Sequence, residues 1–309
     1  MSPEPTPDAR ETGSEATHAP TTDTTAAFAV PGSTAAVLGT STLAVVAVAA
    51  QRGVSILANV PFDPTVTSSA VRSAAGVFAL VAVVAALVAV AVTDERATVR
   101  VGLLFAAVFG PVPLVAPGTA LPAVVAVVGG GGLVLAGTLG RRATWTYRDV
   151  RRRVVAAGVV AALAVTLAGA TGLAEGVRNT GAFVTLAAVA AVGTRAEGSL
   201  AAALVGLLAA GAVVVASAVN PFVVASALLV AFAVTGVPSL LVGLAAAGAV
   251  AATVAGLSRD EYALAVGAAL LLLAGVPATF PRALTFLLGA TLVLGDVPRT
   301  TATETEVSR

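Results

Sequence analysis

The sequence predicts an all-α fold: a polytopic integral membrane helical bundle of about 10–11 transmembrane helices, several of them broken at Gly or Pro. Three observations predict it. Hydrophobic residues make up 58% of the 309 and charged residues 11%, whereas a soluble domain carries about a quarter charged. There is too little polar surface to cover a soluble globule of this size. Windows such as Ala74–Val92, Val154–Leu173, Leu200–Val219 and Ser239–Leu257 run about 19–21 residues without a formal charge, long enough to cross a ~30 Å hydrocarbon layer as helices. These runs do not alternate polar with apolar residues, as the ~10-residue strands of a membrane barrel would.

Residues 1–27 hold Glu4, Asp8, Glu11, Glu15 and Asp23 among Pro and Thr, with almost no large apolar side chain. Such a segment cannot bury enough surface to offset its ordering entropy, so a disordered tail is expected. Its acidic start and the lack of a prompt apolar core do not fit a cleavable signal peptide. Residues 28–139 are expected to hold helices one to four. The first is about Thr34–Ala50, followed by an outside segment Gln51–Ser69, and the second is about Ala70–Val92, ending at the polar turn Thr93–Arg96. Val99–Val115 and Thr119–Leu139 read as a hairpin broken at Pro111, Pro113 and Pro117. Its second member carries Gly129, Gly130, Gly131 and Gly132. These four are either an unwound stretch lining a cavity or a site of close helix packing by small residues, the reading favoured here.

Residues 140–153 form an Arg-rich loop. The stretch Arg141–Arg153 holds six of the seventeen basic residues and the only Trp. Residues 154–295 are expected to hold helices five to eleven: about Val154–Leu173, a short Gly181–Thr194, Leu200–Val219, a short Phe222–Thr235, Pro238–Leu257, and two in Tyr262–Gly295. Ten is the alternative if Tyr262–Gly295 crosses once or re-enters. Asn220-Pro221 breaks the chain, because proline lacks an N–H and disfavours helix in the residue before it. Residues 296–309 are a polar tail. With eleven spans, eleven Arg fall on the side of the cluster and six on the other. The positive-inside rule then places the cluster and the N-terminus in the cytoplasm of a cell (plasma) membrane.

Lysine and cysteine are absent and the one His, His18, lies in the tail. Every basic residue being Arg, with acidic Thr-rich tails, the chain resembles in composition the multi-pass membrane proteins common in haloarchaea. An actinobacterial source fits the composition as well. No motif extends the resemblance to a named family. A net charge of +1 points to no nucleic-acid partner.

No Cys nucleophile, thiolate metal site, phosphate-binding Gly-Lys loop or Ser-His-Asp triad can be assembled. The expectation is therefore a protein that is not an enzyme and takes no cofactor or metal. No ionisable residue reads as lying deep in a span, which argues against ion-coupled pumping. Thr and Ser within spans are expected to hydrogen-bond to their own helices. Two sets of residues stand out as candidate sites. Arg141, Arg142, Arg148, Arg151, Arg152 and Arg153, with Trp145 and Tyr147, are candidates for contact with anionic lipid or a partner subunit. Asn220 and Pro221, with the four-glycine run, are candidates for a helix break or cavity. The leading expectation is an accessory or scaffold membrane subunit working with membrane lipids and other membrane or cytoplasmic subunits. The alternative is a permease or channel-like protein for a small, weakly charged solute.

Overall fold

The computed structural model describes residues 33–58, 68–139, 146–196, 199–219, 232 and 236–295. Among them lie ten α-helices: α1 (Ser33–Leu57), α2 (Ser69–Thr93), α3 (Ala97–Phe109), α4 (Ala120–Leu139), α5 (Tyr147–Ala170), α6 (Arg178–Val192), α7 (Leu200–Val219), α8 (Ser239–Ser258), α9 (Tyr262–Ala274) and α10 (Phe280–Leu294). Seven of these, α1 to α5, α7 and α8, are long and apolar enough with their flanking turns to cross a membrane. A turn of 3-10 helix, Gly193–Ala196, extends α6. Their side chains match a lipid solvent: large residues such as Leu200, Leu204, Leu207 and Leu208 point outward from α7.

Small residues set how closely the helices pack, because between lipid-soluble helices backbone approach replaces the hydrophobic drive. A Cβ placed on Gly102 of α3 would lie 2.5 Å from the Gly130 carbonyl of α4, and one on Gly137 would lie 2.5 Å from Thr98 Oγ1. The pair is therefore antiparallel. The same reasoning pairs α5 with α6 (Gly169 on Arg178, Gly181 on Thr166) and α7 with α8 (Gly206 on Ala247, Gly243 on Ala210). Gly76 of α2 faces Gln51 of α1.

These pairings, with the short links between pairs, bring the start of α1, α3, α5, α7 and α9 to one end of the bundle. The end of α2, α4, α6, α8 and α10 lies there too. Residues 219 and 239 both fall at the opposite end. The expected span Phe222–Thr235 lies outside the described residues, apart from Phe232.

Three elements differ from expectation, each for a local reason. Helix α1 runs on to Leu57 instead of stopping near residue 50. Gln51, Arg52 and Gly53 look like a span end in sequence, but Val54, Ile56 and Leu57 carry the helix past them. Helix α5 begins at Tyr147, so residues 147–153 of the expected loop are helical. Thr146 is the reason: its hydroxyl accepts the Asp149 N–H at 3.3 Å and donates to the Asp149 carboxylate at 2.6 Å. This reciprocal cap, with an acid in the first turn, stabilises a helix start. Third, α6 begins at Arg178, three residues before the expected Gly181.

The region Tyr262–Gly295 is a hairpin of two short helices that enters and leaves at the same end. Gly267 of α9 packs on the Gly289 carbonyl of α10, and Gly289 on the Gly267 carbonyl: a Cβ added to either would lie 2.8 Å from that oxygen. At 1.5 Å per residue, α9 and α10 are about 20 Å and 22 Å long, short of a ~30 Å core. The break between them falls inside the bundle, where Gly275, Val276 and Pro277 are buried. Gly275 is required there twice over. Its φ is +59°, and a Cβ would lie 2.6 Å from the Phe232 carbonyl, which accepts the Val276 N–H at 3.1 Å. Helix α10 is buried continuously from Ala283 to Leu294 and packs against α2, α4, α5 and α9, making it the axis of the bundle.

Candidate functional site

A helix in lipid leaves its last carbonyls without partners unless the protein supplies them. In this bundle arginines supply them. At the end where α10 finishes, Arg195 donates to the Val293 carbonyl at 2.8 Å. Arg152 of α5 donates to the Leu294 carbonyl. Arg259, just past α8, donates to the Arg195 carbonyl at 3.1 Å and ties the second helix exit to the first. A guanidinium on these groups also meets the negative end of the helix dipole.

These residues surround a cavity of about 530 Å³. Helix α5 and its cap contribute Thr146, Asp149, Arg151, Arg152 and Val155, and α6 with its following turn contributes Ala191, Val192, Thr194 and Arg195. The α8–α9 link adds Arg259 and Glu261, while Leu264, Val293 and Leu294 close the apolar side. Four guanidinium groups thus face two carboxylates. The link is tight: Asp260 has φ +56°, its carboxylate accepts the Tyr262 hydroxyl at 3.1 Å, and the Glu261 N–H returns to the Gly256 carbonyl at 2.8 Å. That turn fixes Arg259 and Glu261 on the cavity wall.

The second arginine site is internal. Arg52 of α1 is only 6% exposed. Its Nε donates to the Leu273 carbonyl at 2.9 Å and Nη2 to the Ala274 carbonyl at 3.3 Å, the last turn of α9. Arg282, on the first turn of α10, is close enough for the two like charges to repel. The expectation concerned ionisable groups deep in a span and did not foresee Arg52, buried five residues before the end of α1 and held by the broken end of α9. The clue in the sequence was Ser55-Ile-Leu57, an apolar continuation beyond Arg52.

Of the residues singled out from sequence, Arg151 and Arg152 line the cavity and Arg153 lies beside them without lining it. Tyr147 and Arg148 fall in the first turn of α5, with side chains outside the described residues. Arg141, Arg142, Trp145, Asn220 and Pro221 lie outside the described residues altogether. Gly129 to Gly132 sit within the uninterrupted helix α4. There an added Cβ would lie 2.6 Å from the Gly102 carbonyl at Gly130 and 3.4 Å from Leu163 and Leu287 at Gly131, and would have nothing within 4 Å at Gly129 or Gly132. Arg195 and Arg259 were missed as site residues, because each is a lone basic residue at a turn, 42 or more positions from the cluster's last Arg.

Inside the bundle the buried threonines bond to their own helices, as expected from their type. Thr185 donates to the Gly181 carbonyl, Thr285 to Pro281 and Thr291 to Leu287, all at 2.8 Å, and Thr166 to Ala162. A second cavity, about 370 Å³ between α6, α7, α8 and α9, is lined almost wholly by Ala, Val and Leu, with Phe232 and Gly275 at the hairpin break.

Among the described residues, eight antiparallel-paired apolar helices around a buried re-entering hairpin of two more define a multi-pass α-helical integral membrane protein. The chain belongs to an integral membrane family of unknown function, DUF8068, which matches residues 35–294. No curated protein and no solved structure matches it.

Proposed function

We propose that the chain is a non-catalytic accessory or scaffold subunit of the cell membrane, its arginine-rich end an attachment surface in the cytoplasm for anionic lipid and partner subunits. The observation that carries this reading is where the arginines sit and what they hold. Arg96, Arg100, Arg148, Arg151, Arg152, Arg153, Arg195 and Arg259 lie at the end where α10 finishes, against Arg52, Arg72, Arg178 and Arg282 toward the other. That asymmetry supports a cytoplasmic basic end. The charges there tie helix ends together. The interior threonines are satisfied locally and the inner cavity is apolar, so the described residues offer a polar solute little to bind along the bundle. Cross-linking in native membranes followed by purification tests the reading. A reproducible set of partner subunits, reduced by combined Arg151, Arg152 and Arg153→Gln, is expected. A protein that purifies alone and drives solute accumulation in vesicles contradicts it.

One observation favours the permease reading. Discontinuous helices line substrate sites in many transporters, and the α9–α10 break sits inside the bundle beside Arg52 and Arg282. Uptake into vesicles that falls on Arg282→Gln, with folding intact, would support it.

A further inference from the structure

We propose that the arginine-lined cavity at the basic end binds the phosphate of an anionic phospholipid headgroup. The proposal rests on the attachment reading above and gives that surface a defined site. The cavity, about 530 Å³, lies within the ~300–1,000 Å³ typical of small-ligand sites. Its walls are of two kinds. Arg151, Arg152, Arg195 and Arg259 bring planar guanidinium groups, whose forked N–H donors match phosphate oxygens. Leu264 and Leu294 bring aliphatic surface suited to glycerol carbons.

Depth selects the source of the phosphate. Arg151 and Arg152 lie in the opening turns of the apolar helix Asp149–Ala170, and Arg259 directly follows Ser239–Ser258. This is headgroup level, where the bilayer's own phosphates are far more concentrated than any free anion. Charge selects the headgroup. Against Asp149 and Glu261 the four arginines leave a cationic excess, which attracts an anionic headgroup and repels the ammonium of a zwitterionic one. The backbone bonds of Arg152, Arg195 and Arg259 hold these forks in fixed orientations, so little side-chain freedom is lost on binding.

The test uses the full chain in neutral detergent micelles at constant ionic strength, titrated with short-chain phosphatidylglycerol, short-chain phosphatidylcholine or inorganic phosphate. Saturable binding of one phosphatidylglycerol per chain is expected, at least about tenfold tighter than either alternative. Arg151→Gln and Arg259→Gln should each weaken it about tenfold, whereas Arg72→Gln, exposed at the opposite end of the bundle, should leave it unchanged. Arg151→Lys, a point cation in place of the fork, should lose part of the affinity and serves if a Gln variant misfolds. Equal binding of phosphatidylcholine overturns the charge selection, and equal binding of inorganic phosphate makes the occupant a free anion. An equal loss with Arg72→Gln reduces the site to diffuse protein charge. Partner recovery from native membranes is read separately, so a chain that keeps its partners but binds no lipid refutes this site alone.

Discussion

Replacing Arg52 by Met tests whether a buried arginine holds the broken end of α9. Met keeps much of the aliphatic stem and removes the guanidinium. Among the described residues two hydrogen bonds go with it, at 2.9 Å to Leu273 O and 3.3 Å to Ala274 O. Hydrogen bonds to a charged group contribute about 1.5–3 kcal/mol each, and the longer one belongs at the low end. Both carbonyls then lose this donor, a cost of about 1–3 kcal/mol apiece if nothing replaces it. Two effects oppose the loss: an apolar side chain avoids the desolvation of a buried cation, and the repulsion from Arg282 disappears. Arg282 is only half-buried, so solvent already weakens that repulsion. The expected balance is a net loss of about 2–4 kcal/mol. Arg52→Lys, which keeps the charge but has no fork, should recover roughly half. Unfolding in mixed micelles, followed by circular dichroism, reads both variants against the parent chain. An Arg52→Met protein as stable as the parent would refute the reasoning, showing that the α9 carbonyls find other partners or need none.

Other positions give sharp contrasts. Gly130→Ala should cost about 1–3 kcal/mol, because its Cβ would sit 2.6 Å from the Gly102 carbonyl, whereas Gly129→Ala and Gly132→Ala, with open space, should unfold like the parent. The buried Ser41 hydroxyl has no hydrogen-bond partner among the described residues, so Ser41→Ala should leave stability equal or raise it by up to about 1 kcal/mol in the same unfolding assay. Arg195→Gln should speed amide hydrogen exchange in the last turn of α10, where Arg195 holds the Val293 carbonyl, while exchange at the start of α10 stays unchanged.

The fold class was legible because membrane helices announce themselves by length and lack of charge: Leu200–Val219 and Ser239–Leu257 reappear almost residue for residue as α7 and α8. Helix ends were less legible. Arg52 looked like a boundary because a guanidinium belongs in water unless something buries and bonds it, and the carbonyls that do so lie 221 and 222 residues away. Tyr147–Arg153 read as a loop by charge alone, yet Thr146 and Asp149 spell a helix start by capping chemistry. The cavity was half legible. Local density exposed Arg151 and Arg152, while Arg195 and Arg259 reach the same place only through the antiparallel return of α6 and α8. The four glycines show the limit of composition, since Gly130 and Gly129 are identical in sequence but only one meets a neighbouring backbone.

The most direct test of the account is cysteine accessibility in intact cells, which the absence of native cysteine makes clean. The α2–α3 link and the α8–α9 link lie together at the basic end, proposed to be cytoplasmic, and the α3–α4 link lies at the opposite face. Single Cys residues at Glu95, Ser258 and Val115, all exposed, report on these three places. An impermeant thiol reagent added outside should label Val115→Cys and leave Glu95→Cys and Ser258→Cys untouched until the membrane is opened. Labelling of Ser258→Cys but not Glu95→Cys would contradict the antiparallel return of α8, and labelling of both with Val115→Cys protected would invert the bundle.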